Sequence, residues 1–135
     1  MNTEAILVVD DDAIVLDFCC STLSRSGYRV LRAEGGRQAL EIHKREKGRI
    51  DLALVDIVMP EMTGIELVKR LQTGKHAPKV ALMSGYSPEE VRRLIGDDGS
   101  AYRVFWKPFA GRVFLQMIRN VLDKPHHQNA RRAHT

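Results

Sequence analysis

Residues 5–27 read AILVVDDDAIVLDFCCSTLSRSG. The stretch opens on an unbroken apolar run, Ala5–Val9, of the kind a central strand carries when both its faces are buried. Three aspartates follow, Asp10, Asp11 and Asp12. Asp12 is a good helix N-cap. Beyond it Ile14, Val15, Phe18, Cys19, Thr22 and Leu23 form the apolar side of a helix. Gly27 ends that helix. The segment is therefore one strand, one acidic turn and one helix, and the rest of the chain repeats that order.

Tyr28–Leu31 reads as a second strand, and Gln38–Lys47 as a helix with Ala39, Leu40 and Ile42 inward. Ile50–Val55 is a third strand and Ile65–Leu71 a third helix. Lys79–Met83 follows as a fourth strand, and Pro88 suits the first turn of a helix running to about Ile95. Tyr102–Trp106 is the fifth strand. Phe109–Leu122 is the last helix, with Val113, Phe114, Met117, Ile118, Val121 and Leu122 on one side. Five successive β–α units predict a parallel sheet covered by helices on both faces. The expected architecture is α/β: a flavodoxin-like, doubly wound, five-stranded parallel sheet of order 2-1-3-4-5 with five helices. Its site lies at the carboxyl ends of the strands.

Composition bounds the rest. The chain has 135 residues, 44% apolar and 28% charged, which suits one ordinary globular domain. No apolar run is long enough to span a bilayer, and no export leader is apparent, so the expected location is the cytoplasm. The adjacent Cys19 and Cys20 make no disulfide framework and read as reduced cysteines beside a core face. The net charge is +4, of which Lys124, Arg131 and Arg132 supply three, leaving residues 1–123 at +1. A basic balance of that origin is poor support for direct nucleic-acid binding. No linker interrupts the chain before Lys124. The expected organisation is one domain over 1–123 and a basic, disordered tail over 124–135, whose His126, His127 and His134 read as solvated.

The charged residues at the strand ends carry the chemistry. Strand one ends in Asp10, Asp11 and Asp12, strand three in Asp56, strand four in Ser84 and Gly85, and strand five in Lys107. Alone, each has a bland reading: a cap, a turn, a loop, a solvated lysine. Together, four strand ends deliver acids, a hydroxyl and an amine to one rim. Crowded carboxylates repel one another and favour a divalent cation, and an all-oxygen set favours Mg²⁺ over zinc. Lys107 and Ser84 can hold phosphoryl oxygens, Gly85 leaves room, and a carboxylate nucleophile such as Asp56 can form an acyl phosphate.

The segments ILVVDDD (6–12), LALVDIVMPEMTGIEL (52–67), ALMSGY (81–86) and WKPF (106–109) resemble the receiver domain of two-component response regulators. The likeness runs over about residues 4–122. SGYSPEEV and the long run to WKPF resemble receivers attached to hybrid histidine kinases. The resemblance implies that Asp56 is the phosphoacceptor, Asp11 the direct Mg²⁺ ligand, Asp10 its acidic partner and the Val58 carbonyl a main-chain metal ligand. It implies that Ser84 is the switch hydroxyl, Lys107 the phosphate-binding lysine, and the Lys107–Pro108 bond cis. Pro60 and Gly64 fit the loop after the acceptor. The implied partners are a histidine kinase or hybrid kinase, or a histidine phosphotransfer protein. A downstream protein is expected on the face formed by helix 4, strand 5 and helix 5. Such a domain is a regulatory acceptor, not a turnover enzyme. One position departs from the family pattern: the aromatic usual three residues before the lysine is Val104.

Two rival readings compete. A phosphatase of the haloacid-dehalogenase type would use Asp10, Asp12, Ser84, Lys107 and the acids after Gly96, but there the lysine precedes the last acids, and Asp56 would be idle. A degenerate receiver without phosphotransfer would be expected to lack the acceptor, the acids or the lysine, and all are present.

Overall fold

The structure, a computed structural model, describes residues 3–96 and 102–125. Its elements alternate as expected: β1 (Ala5–Val9), α1 (Ala13–Arg25), β2 (Arg29–Ala33), α2 (Gly36–Glu46), β3 (Leu52–Asp56), α3 (Gly64–Leu71), β4 (Lys79–Ser84), α4 (Pro88–Ile95), β5 (Val104–Trp106) and α5 (Gly111–Asp123). The strands form one parallel sheet of order β2-β1-β3-β4-β5. No helix among the described residues is long and apolar enough to cross a membrane.

Side-chain alternation along the strands divides the interior in two. Leu7, Val9, Ala53, Val55 and Leu82 face a core closed by Ala39 and Ile42 of α2, Leu67, Val68 and Leu71 of α3, and Val91 of α4. Ile6, Val8, Leu52, Leu54, Ala81 and Met83 face the other way, onto Leu16, Cys19 and Leu23 of α1 and Phe114 and Ile118 of α5. Fully burying one such side chain is worth about 2 kcal/mol. These two layers, more than helix propensity, hold the short helices against the sheet.

Side-chain caps mark where α1, α3 and α4 begin. Asp12 accepts from the Ile14 amide at 2.9 Å, and Thr63 with Glu66 and Ser87 with Glu90 form complete capping boxes at α3 and α4. The helix α2 starts at Gly36, two residues before the expected Gln38. A Cβ at 36 would meet the Met62 sulfur at 2.6 Å, so glycine there lets the Met62 side chain of the β3–α3 loop pack closely on α2.

Two expected core positions prove exposed. Ile14 is 80% exposed, and Leu16, at i, i+3 and i+7 with Cys19 and Leu23, takes the inward place. Val113 is 54% exposed for the same reason, one position off the Phe114–Ile118 stripe of α5. The fifth strand is shorter than the expected Tyr102–Trp106, since the ladder to β4 begins at Val104. Tyr102 instead packs half-buried beside Val104, with its hydroxyl donating to the Gln72 side chain at 3.3 Å. The tail beyond Pro125 and the acids after Gly96 lie outside the described residues.

Candidate functional site

Register brings the chemistry together. Val9 of β1 pairs with Val55 of β3, so Asp10 leaves its strand beside Asp56. On the other side Asp56 pairs with Met83, and Ser84 pairs with Trp106 of β5. Lys107, one residue on, donates its backbone N–H to the Ser84 carbonyl at 2.7 Å.

The Lys107 ammonium reaches back across the sheet end. Its Nζ lies 2.8 Å from Asp10 Oδ2 and 3.2 Å from Asp56 Oδ1. Asp10 is fully buried, and its other oxygen accepts from the Asp12 amide at 2.9 Å. Asp56 is buried as well, while Asp11 is exposed on the rim. One carboxylate oxygen from each of Asp10, Asp11 and Asp56 lies within 4.8 Å of the others. Asp12 is not in that group, because its carboxylate caps α1.

Fully ionised, three carboxylates and one ammonium leave the cluster two charges negative. The electrostatics follow. Burial, and then the neighbouring Asp10 carboxylate, push the Asp56 carboxyl from 3.8 up to about 7, against the pull of Lys107. Burial also disfavours the Lys107 charge. The bond to Asp10 and the fields of Asp56 and Asp10 outweigh it and hold the ammonium above the ordinary lysine value. An acidic, all-oxygen cluster fits a small hard divalent cation such as Mg²⁺, and it offers neither the thiolate nor the imidazole that zinc prefers.

The remaining site residues sit on the loops. The buried Ser84 hydroxyl accepts from the Tyr86 amide at 2.9 Å, so its oxygen is engaged by the loop entering α4. Val58 and Tyr86, two residues past Asp56 and Ser84, are both exposed. The Lys107–Pro108 bond is cis, as the resemblance implies. Sequence reasoning treated Gly64 only as a loop residue. Its amide donates to the Ile57 carbonyl at 2.8 Å, and a Cβ there would stand 2.1 Å from the Asp56 carbonyl oxygen. The glycine eight residues after the acceptor was the available signal, but the close approach that needs it is tertiary.

Comparison with known proteins agrees with this geometry. Residues 6–119 match the response regulator receiver domain. The chain is 36% identical over 120 residues to the response regulator MprA of Mycolicibacterium vanbaalenii, covering 88% of this chain and 50% of that protein. It is 32% identical over 123 residues to the sensor kinase CckA of Brucella abortus, covering 91% of this chain and 13% of that one. The chain thus spans half or less of the length of these curated relatives. A CheY-like response regulator receiver domain protein from Methanospirillum hungatei superposes with a TM-score of 0.76 at 30% identity, covering 96% of this chain and 99% of that one. A fold of the expected strand order, an acidic pocket bridged by a lysine, and a family match over nearly all of the described body lead to one conclusion: the chain belongs to the response regulator receiver domain family.

Proposed function

We propose that Asp56 accepts a phosphoryl group from a phosphohistidine, on a histidine kinase, a hybrid kinase or a histidine phosphotransfer protein, in a Mg²⁺-dependent reaction in the cytoplasm. The observation that carries the reading is the Lys107 ammonium, shared between Asp10 and Asp56 at 2.8 and 3.2 Å. A positive charge beside Asp56 suits an oxygen of an incoming phosphoryl group, which supports the reading. A carboxylate oxygen of Asp56 attacks phosphorus, the phosphorus–nitrogen bond to the imidazole breaks, and the acyl phosphate remains on the protein. Lys107 holds one phosphoryl oxygen. The Ser84 hydroxyl, which donates to the Tyr86 carbonyl at 3.4 Å in the free protein, turns and donates to a second.

Asp11 and Asp56, with Asp10 as acidic partner and the Val58 carbonyl, are the residues to hold Mg²⁺. When bound, the ion neutralises carboxylate and phosphoryl charge. The product stays attached, so the domain acts as a regulatory acceptor and not as an enzyme with turnover. The downstream contact falls on the α4–β5–α5 face, where Leu94 and Trp106 are exposed.

The reading is tested by intact mass after incubation with acetyl phosphate and Mg²⁺. One phosphoryl group is expected on the wild type, and none on Asp56→Asn or in chelator. Equal incorporation by Asp56→Asn would reject Asp56 as the acceptor, and equal incorporation in chelator would reject the role of the metal.

A further inference from the structure

The end of the molecule opposite the acidic rim carries a basic cluster, with the exposed Asp51 beside it. Helices packed on a parallel sheet run against the strands, so α2 finishes beside the strands' amino ends, away from Asp56. Its last turn carries Lys44 and Arg45, and the following turn carries Lys47 and Arg49, all exposed. The helix macrodipole accounts for cations in the last turn. It does not account for those beyond the helix, nor for the ones other elements bring to the same place. Arg29, the first residue of β2, pairs with Glu46 at 2.7 Å. The α3–β4 loop adds His76, whose ring lies so close to Gly48 that a Cβ there would meet it at 2.5 Å, together with the preceding, exposed Lys75.

One buried carboxylate, that of Glu46, lies among them. The Glu46 carboxyl is held below the usual carboxylate value by its hydrogen bond from Arg29, with further contributions from the charges of Arg29, Arg49 and Arg45. Arg49 Nε also donates to the Glu46 carbonyl at 2.9 Å. Arg29 thus holds the buried Glu46 carboxylate and Arg49 the carbonyl of the same residue, while Arg45 and Arg49 are themselves exposed.

We infer that this basic end, centred on Lys44, Arg45, Lys47 and Arg49, docks an acidic segment of a partner protein. Guanidinium groups match carboxylates in shape and charge, and Glu46 shows one carboxylate already taken here. The exposed large apolar side chains among the described residues are Ile14, Val58, Tyr86, Leu94, Trp106 and Val113, and none belongs to α2, the loop after it or the α3–β4 loop. The surface therefore lacks the aromatic platform that single-stranded nucleic acid uses and the apolar anchor that a membrane surface needs. A partner held here leaves the rim with Asp56 open, so docking and phosphorylation can proceed together.

The test is binding of a fluorescein-labelled poly-glutamate peptide to the full chain, followed by anisotropy at low salt. The doubly reversed Lys44→Glu/Arg45→Glu is expected to weaken binding about tenfold, and the binding to weaken steeply with added salt. Arg92→Glu/Arg93→Glu on α4 makes the same change in net charge elsewhere and is expected to weaken it less than about twofold. Should the reversed protein melt early, Lys44→Gln/Arg45→Gln replaces it, with about a threefold loss expected. Equal losses from the α2 and α4 variants would show that net charge alone is read, and would overturn the inference. So would tighter binding to an oligothymidine or to phosphatidylserine-containing vesicles than to the peptide.

Discussion

Asp56 is placed where its ionisation works against the fold, and the size of that effect is measurable. In the folded chain without metal, burial and Asp10 push its carboxyl from 3.8 up to about 7. The folded pKa therefore lies above the unfolded one. Between about pH 4 and 7 the native state binds more protons than the unfolded state, so stability falls as pH rises through that window. A tenfold difference in proton affinity corresponds to about 1.4 kcal/mol, so the interval from 3.8 to about 7 corresponds to about 4 kcal/mol at most. Asp56→Asn keeps the shape and removes the charge, and Lys107 keeps its 2.8 Å bond to Asp10.

The expected result is that Asp56→Asn is more stable than the wild type by about 2–4 kcal/mol at about pH 8, and nearly equal to it at about pH 4.5. Urea unfolding of both proteins in chelator across that range measures the gap, and the contributions of other titrating groups largely cancel in the difference. Adding Mg²⁺ should raise the wild type and narrow the gap at high pH, because a ligand of the native state alone stabilises it. A gap that stays constant with pH, or a wild type more stable than the variant at about pH 8, would refute the electrostatic account of the cluster.

Other outcomes follow from single contacts. Gly64→Ala puts a Cβ 2.1 Å from the Asp56 carbonyl oxygen, so the loop must shift, at a cost of about 2 kcal/mol or more. A thermal melt reads that loss, and acetyl phosphate labelling is expected to slow with it. Valine at 58 can neither orient nor activate water and Tyr86 can shield phosphorus, so the acyl phosphate is expected to decay slowly. Val58→Asn or Tyr86→Ala should change the rate followed by intact mass, whereas loss within seconds in the wild type would sink the idea. Trp106 is 39% exposed and pairs with Ser84. As the only tryptophan, its fluorescence is expected to change with Mg²⁺ and beryllofluoride in the wild type but not in Asp56→Asn.

The sequence made the order of elements legible because burial on both faces leaves continuous apolar runs, and β1 and β3 are buried at every position. The rim was legible for a related reason: in a parallel sheet the residue after each strand is at the site, whatever the loops do. Asp10, Asp56, Ser84 and Lys107 all follow that rule or end their strand. Helix faces were read less well. Ile14 and Val113 lie within apolar helical stretches yet are exposed, because which side of a helix meets the sheet is settled by crossing geometry. Close approaches were not legible at all. Gly36 meets Met62, 26 residues on, and Gly64 meets Asp56 across the loop between them, and a glycine in sequence does not say what it lies against.

The same geometry bears on how an event at Asp56 can reach the surface when Val104 stands where the family usually carries an aromatic. A ligand shifts a conformational equilibrium only by its difference in affinity for the two states, and inverting a 1:99 ratio needs about 5.5 kcal/mol. In this structure Lys107 is divided between two carboxylates, and the Ser84 hydroxyl donates to the Tyr86 carbonyl at 3.4 Å while accepting from the Tyr86 amide. In the proposed reaction both groups turn to the phosphoryl oxygens, so the difference in affinity arises from bonds that must first be given up. Release of the Tyr86 carbonyl loosens the loop entering α4, and Ser84 is the β4 partner of Trp106. Trp106 shares its face of β5 with Val104, while Phe105 is fully buried among the α1 and α5 side chains. The path from site to surface then runs through one strand pair, and the bulky group at its outer end is the indole. Replacing Trp106 with alanine should accordingly leave phosphorylation of Asp56 intact and weaken contact with a downstream protein.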